Sequence, residues 1–302
     1  MAVINTGSHP KALWPGVRAF FGATYDAQPK IWSKIFETVQ SEKNYEEGVA
    51  TQSFGLAVKK PEGQAVSYDS HNQEWTRRST HDTYGLGYVV TEEELEDNLY
   101  EAKSFNRSKL LAISMGETKE IVHANVLNRG FTNTFTGGDG VELFSAAHPT
   151  AVGNQSNLLA VAADFSELAL EDMLIQMQDN KNSRGLRFPL TGKKLVVRHE
   201  LEFEVNRVLK STLRSGTANN DINALKSMGM LPDGYVVWHY LTDPDAWFVL
   251  TNAPNGLLSF QRRKMTFKQD NDFDTSNAKA KATERYVPDW NDWRGVYGTP
   301  GA

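Results

Sequence analysis

The stretch TEEELEDNLYEAKSFNRSKLLAISMGETKEIVHANVLNRG, Thr91 to Gly130, decides the fold. Thr91 and Glu94 stand at capping-box spacing, and Glu92 and Glu93 put negative charge on the positive end of a helix. Leu95, Leu99, Ala102, Leu110, Ile113, Ile121, Ala124 and Leu127 then recur in helical steps. Gly130 stands where a helix ends on a C′ glycine. About 36 residues at 1.5 Å each make a rod on the order of 54 Å long, roughly three times the usual helix. Gly116 in its middle costs about 1 kcal/mol against alanine. The pattern predicts one long spine over 91–129.

Upstream of the spine, Phe54, Leu56 and Val58 alternate with Ser53, Gly55, Ala57 and Lys59, the period of a strand. Pro61-Glu62-Gly63 supplies turn chemistry, and a polar return carries Val66, Tyr68 and Trp75. This hairpin has too few apolar residues for a core of its own, and an isolated hairpin is marginal in water. It is either an edge hairpin packed on its own domain or an arm whose partner surface lies on another subunit. Further upstream, Gly7, Pro10, Pro15 and Gly16 interrupt regular structure. From Pro29 onward, Ile31, Trp32, Ile35, Phe36 and Val39 predict a short helix that must dock on something.

Downstream, Thr136–Gly140 reads as a hairpin turn, Ser166–Asn182 as a helix and Leu195-Val196-Val197 as a buried strand. A helix carrying Leu201, Val205, Val208 and Leu209 follows, then a polar loop at 215–220. Strands are expected at Tyr235–Tyr240 and Trp247–Leu250, with long ones at Leu257–Thr266 and Ala278–Val287 around an acidic turn, Asp270–Asp274. No repeat or flexible linker marks two independent domains.

Composition is that of a folded globular chain: 302 residues, 40% hydrophobic, 23% charged, formal net charge −5. A nucleic-acid clamp carries a basic stripe, and here the strongest basic run is Arg262-Arg263-Lys264. The absence of cysteine removes disulfides, thiolate metal sites and cysteine nucleophiles together. No apolar run reaches the roughly 18 residues of a membrane span, and Met1–Gly22 does not read as a signal peptide.

Motifs of chemistry are missing too. No Walker-type loop, G-x-S-x-G or H-E-x-x-H occurs; after His199-Glu200, position 203 is Phe where a second ligand would stand. Asp270, Asp272 and Asp274 imitate a calcium loop, yet Thr275 and Lys281 replace its glycine and bidentate glutamate. The seven histidines lack ligand spacing, and the tryptophans and phenylalanines read as core and interface anchors.

Four segments resemble the major head subunits of Mu-like tailed bacteriophages. They are Leu143-Phe144-Ser145-Ala146-Ala147-His148-Pro149 with Asn157-Leu158, Asn219–Leu225, Tyr240–Phe248, and the ending Glu284-Arg285-Tyr286, Asp292–Gly298 and Gly301-Ala302. The resemblance implies an α+β chain with the Hong Kong 97-like capsid fold. It maps an N-terminal arm to 1–45, an extended β-hairpin loop to 46–90, a peripheral domain with the spine helix 91–129 to 91–150 and 251–302, and an axial domain to 151–250. It implies a major head protein that assembles into pentamers and hexamers of an icosahedral shell around double-stranded DNA, without sequence-specific binding. Residence in the virion and assembly in the host cytoplasm follow, with a portal, a decoration protein and a separate scaffolding protein as partners. No catalytic residue, cofactor, metal or membrane contact is implied. The expected inter-subunit contacts are Trp14 and Phe20 on the arm, Lys59, Lys60, Pro61, Glu62 and Gly63 at the hairpin tip, and Arg77 and Arg78 on its return strand. Some members cross-link through a loop lysine, but no receiving Asn or assisting Glu is identifiable here, so no covalent link is expected. An encapsulin-like nanocompartment shell shares the fold and is the alternative; a tail-tube protein or an α/β hydrolase fits the spine and the ending less well.

Overall fold

The computed structural model of the chain describes residues 14–91, 93, 94, 100–214, 221–272 and 277–302. The spine is present: helix α2, Tyr100–Asn128, runs unbroken for 29 residues, about 44 Å. The Glu94 amide donates to Thr91 Oγ1 at 3.4 Å, as the capping box requires. Residues 92 and 95–99, with the Leu95 and Leu99 positions of the stripe, lie outside the described residues. Gly116 is tolerated because the Gln28 side chain lies where a Cβ would stand. Gly130 does not adopt the left-handed conformation of a C′ residue. Its lack of a side chain instead makes room for the Phe144 ring, which would sit 2.5 Å from a Cβ.

The N-terminal region differs from its sequence reading. Helix α1, Trp14–Asp26, occupies the place where Pro15 and Gly16 suggested interruption. Proline is tolerated in a first helical turn, where its missing N–H has no partner anyway. Val17 and Phe21, four apart, pack on Leu111, Ala112 and Met115 of α2. The helix expected over 31–39 is a single 3-10 turn, Trp32–Lys34, followed by strand β1, Glu37–Gln40. Tertiary contact overrides the helical spacing: Trp32, Ile35 and Phe36 are all drawn into the main core, and β1 pairs in parallel with β10, Leu257–Asn271.

Two four-stranded sheets carry the body. The first has the order β1-β10-β11-β4, with β11 at Ala278–Trp290 and β4 at Asp82–Val90. Strand β10 has register shifts against β11 between Gln261 and Arg263 and between Arg263 and Thr266, each inserting an extra residue. The second sheet is β12-β9-β7-β8: Val296–Thr299, Trp247–Thr251, Gly192–Val197 and Tyr235–Val237. Every residue of β9 is buried, as expected of a central strand covered on both faces. Helix α3, Glu167–Gln178, is capped by Ser166 accepting from Ala169; with α4, Glu202–Lys210, it covers this sheet through Leu170, Met173, Met177, Val205 and Val208. A short helix α5, Ala224–Met228, is capped by Asn223. Residues 215–220, including Asn219 and Asn220, and residues 273–276 of the acidic turn lie outside the described residues. No helix among the described residues is long and apolar enough to cross a membrane.

Candidate assembly surfaces

The hairpin is the least self-sufficient part of the molecule. Strands β2, Tyr45–Thr51, and β3, Gln73–Thr80, pair antiparallel from Tyr45–Thr80 out to Thr51–Gln73. Beyond that point the strand expected at 53–59 does not join a ladder, because neither face of the segment meets a core. The two arms are held by a few bonds instead. The Gln52 amide donates to the Asn72 carbonyl at 2.8 Å, and the Gly55 amide to Asp69 Oδ2 at 2.7 Å. The tip turns at Pro61–Gln64, where Gly63 takes a φ of 78° that only glycine adopts without strain. Phe54, Leu56, Val58, Val66 and Tyr68 are 60, 78, 74, 61 and 96% exposed. Five large apolar side chains on one protruding loop form a surface without a partner in its own chain.

The expected contact residues separate into two groups. Lys59, Lys60, Pro61, Glu62 and Gly63 are at the exposed tip together. Arg77 and Arg78 stand at the base, and their contacts lie within the chain. The Arg77 guanidinium makes a bidentate pair with Asp289, at 2.9 and 3.0 Å, and lies over the Trp290 ring. Arg78 pairs with Glu47 at 2.7 Å and covers Tyr45. Arg77 thus braces the hairpin against the body, while Arg78 ties the two hairpin strands together and stays more than half exposed. Phe20 is on the outer side of α1, 39% exposed; the Trp14 side chain lies outside the described residues. Sequence reading missed the clamp at the loop's foot, where Arg184 Nη2 reaches Asp69 Oδ1 at 3.1 Å and the Ser70 carbonyl at 2.7 Å. Residues 115 apart carry no spacing signal.

A buried polar seam joins the N-terminal segment to both sheets. Lys119 pairs with Glu284, and the Tyr25 hydroxyl donates to the same carboxylate at 3.0 Å. Both members are nearly inaccessible, at 5 and 1%. Burial pulls Lys119 below the usual lysine value, and the neighbouring carboxylate opposes that pull. Glu120 accepts the Ile31 amide at 2.7 Å, the Trp32 amide at 3.2 Å and the Trp238 indole at 2.8 Å. Burial raises its pKa against these donors. One turn further along α2, His123 is fully buried between Lys119 O, 2.7 Å from Nδ1, and Ser259 Oγ, 2.8 Å from Nε2.

The segments singled out by their resemblance converge in space. Asn157 Nδ2 donates to the Leu143 and Val296 carbonyls at 2.7 and 3.1 Å, while its Oδ1 accepts the Ser145 amide at 2.9 Å. Leu158 bridges to Gly298. Phe144 and Phe248 stack 5.1 Å apart. His148 Nδ1 donates to the Asp139 carboxylate at 2.6 Å and its Nε2 lies 3.2 Å from Asn157 Oδ1, with the ring flat on Trp293 at 4.2 Å. An Asp–His pair can serve a nucleophile, but here both ring nitrogens are engaged and the side chain is wholly buried. The node ties residues 139–158 to strands β9 and β12 of the second sheet. Among the described residues no group of three or more His, Asp or Glu could hold a metal.

A spine helix, a protruding hairpin and two sheets sharing one seam define a shell subunit of the Hong Kong 97-like class. A family model for phage capsid proteins matches residues 74–299. The chain belongs to the phage capsid protein family and is a major capsid shell protein. Its fold is similar to that of the virus-like particle from Pyrococcus furiosus, at 11% identity and a TM-score of 0.55, covering 94% of this chain and 98% of that one. It is similar also to the procapsid of bacteriophage JBD30, at 14% identity and 0.54, covering 98 and 76%. The encapsulin SrpI from Synechococcus elongatus PCC 7942 follows at 8% and 0.51, covering 99 and 91%, and shares the fold alone. No curated protein sequence matches the chain.

Proposed function

We propose that this shell protein assembles into pentamers and hexamers of an icosahedral head that encloses double-stranded DNA, and that it performs no catalysis. The exposed apolar loop at 52–72 carries the reading. Fully burying each of Phe54, Leu56, Val58, Val66 and Tyr68 is worth about 1.5–3 kcal/mol before ordering costs, and within one subunit nothing collects that gain. A heterologous contact, loop on neighbour, closes rings when the rotation fits. The sheet with β10 and β11 then serves as the peripheral domain and the β7–β9 sheet as the axial domain, with the hairpin as extended loop. Residues 14–40 brace the spine of their own subunit, so on this reading Phe20 contributes through its outer face only. Assembly in the host cytoplasm, a portal, a decoration protein and a scaffolding protein complete the proposal; placement in the Mu-like group rests on the sequence motifs alone. Deleting residues 55–70 leaves soluble subunits that no longer form particles by sedimentation and negative-stain microscopy. Normal shells from that deletion would overturn the role of the loop.

A further inference from the structure

The basic run Arg262-Arg263-Lys264 does not end where the sequence suggests. It lies on the doubled bulge of β10, and bulges re-aim side chains. Its last residue, Lys264, lines a cleft of about 690 Å³ between α1 and β10, while Arg262 and Arg263 bond to Ser41 and Thr283. Arg18 and Lys30 enter from the helical side, Lys264 and Lys268 from the strand, and Lys119 lies at the floor. Against these five cations stand Asp26 and Glu284, giving the cleft a net charge of +3 in a chain of −5. The two carboxylates are already engaged, Asp26 by Lys30 at 3.0 Å and Glu284 by Lys119. Arg18, Lys264 and Lys268 are exposed, and among the described residues none of them has an ion-pair partner.

We infer that this cleft seats the phosphate backbone of double-stranded nucleic acid. The inference rests on the reading that the shell encloses DNA, and names the surface by which the wall touches it. Lys264 and Lys268 are on the order of 13 Å apart along the strand, about the axial rise of four nucleotides of one duplex strand. Of the aromatic residues lining it, Phe21 and Phe267 are buried and stacked on each other at 4.6 Å, Trp32 is buried, and the Lys30 ammonium lies over the Tyr25 ring at 5.3 Å, so none offers an open face to a base. Contact is therefore to phosphates and without sequence preference. Three uncompensated cations make a weak, salt-sensitive hold, with a slope of log K on log salt of about −2.7. A wall that holds packed DNA and later lets it leave needs contacts of that strength.

The test is fluorescence anisotropy of a labelled 20-base-pair duplex with the purified full chain, titrated at several salt concentrations. Lys264→Glu/Lys268→Glu should weaken binding at least tenfold at low salt and flatten the slope by about 1.8. Lys181→Glu/Lys193→Glu, the same charge change elsewhere, should keep the slope. Arg18→Glu on the opposite wall repeats the test if the strand variant fails to fold. Equal losses in the control pair would mean that overall charge binds the duplex and would overturn the inference. So would poly-glutamate displacing the duplex as well as unlabelled duplex does, which would assign the cleft to an acidic protein segment. Particle formation, followed by negative-stain microscopy, separates this site from the shell reading. Intact shells with unchanged duplex binding in the Lys264→Glu/Lys268→Glu variant sink the site alone, whereas a wild-type chain that builds no particles sinks the shell.

Discussion

His123 gives the seam between spine and sheet a measurable acid sensitivity. Its ring sits 4.6 Å from Trp32, 5.1 Å from Phe36 and 5.5 Å from Tyr286, centroid to centroid. A carbonyl is the partner of Nδ1, so that nitrogen carries the proton and Nε2 accepts from Ser259. Burial disfavours a second proton and pulls the pKa from 6.5 down to about 3. In the unfolded chain the imidazole protonates near 6.5; in the folded chain it stays neutral until about 3. The unfolded state therefore binds more protons throughout that window, and stability falls as pH falls through it. Each pH unit costs about 1.4 kcal/mol, so acidification from 6.5 to 5 costs about 2 kcal/mol. His81, whose pKa burial also lowers, acts in the same direction, and Glu120, raised by burial, acts against it. The comparison is thus between wild type and His123→Gln, which keeps a donor and an acceptor without titrating. Urea midpoints of unassembled subunits at pH 7 and pH 5, read by tryptophan fluorescence, should fall further in wild type by about 2 kcal/mol. Equal pH dependence in the two proteins, or a folded-state histidine resonance at this position titrating near 6.5, would refute the argument.

Glu284→Gln strands a buried ammonium at Lys119 and should cost about 3–5 kcal/mol, while Lys119→Met/Glu284→Gln should recover most of it; urea denaturation of both measures the difference. Gly295 and Gly256 pass backbone to backbone, and a Cβ on Gly295 would lie 2.3 Å from the Gly256 Cα. No side chain can rotate away there, so Gly295→Ala should lose about 3 kcal/mol or more, seen as a lower melting temperature or loss of soluble protein.

The spine was legible because a helix writes its period into neighbouring residues: Thr91, Ala124 and Leu127 carry the signal locally, although Leu110 and Ile121 of the expected stripe face outward and Leu111, Ala112 and Met115 are buried instead. The long strands β10 and β11 were legible in the same way. Trp32 to Val39 misled, since spacing that suits a helix also suits a 3-10 turn running into a strand once Glu120 takes the Ile31 and Trp32 amides. Helix α1 was hidden by Pro15, whose effect depends on its place in the first turn. The loop tip at Pro61–Gly63 was readable from turn chemistry, whereas the pairing of Arg77 with Asp289, 212 positions away, leaves no local signal.

By itself the sequence determined the elements: one rod, one coreless hairpin, buried strands and a chain without cysteine or catalytic motif. Those follow from local periodicity and composition, which need no partner. Tertiary structure alone decided which polar groups are satisfied within the subunit and which are left over. Arg77 and Lys119 turn inward to partners far along the chain, while the apolar loop and the cations flanking β10 stay open. Hydrogen bonds and ion pairs act over a few ångströms in space, and distance along the chain does not reveal them.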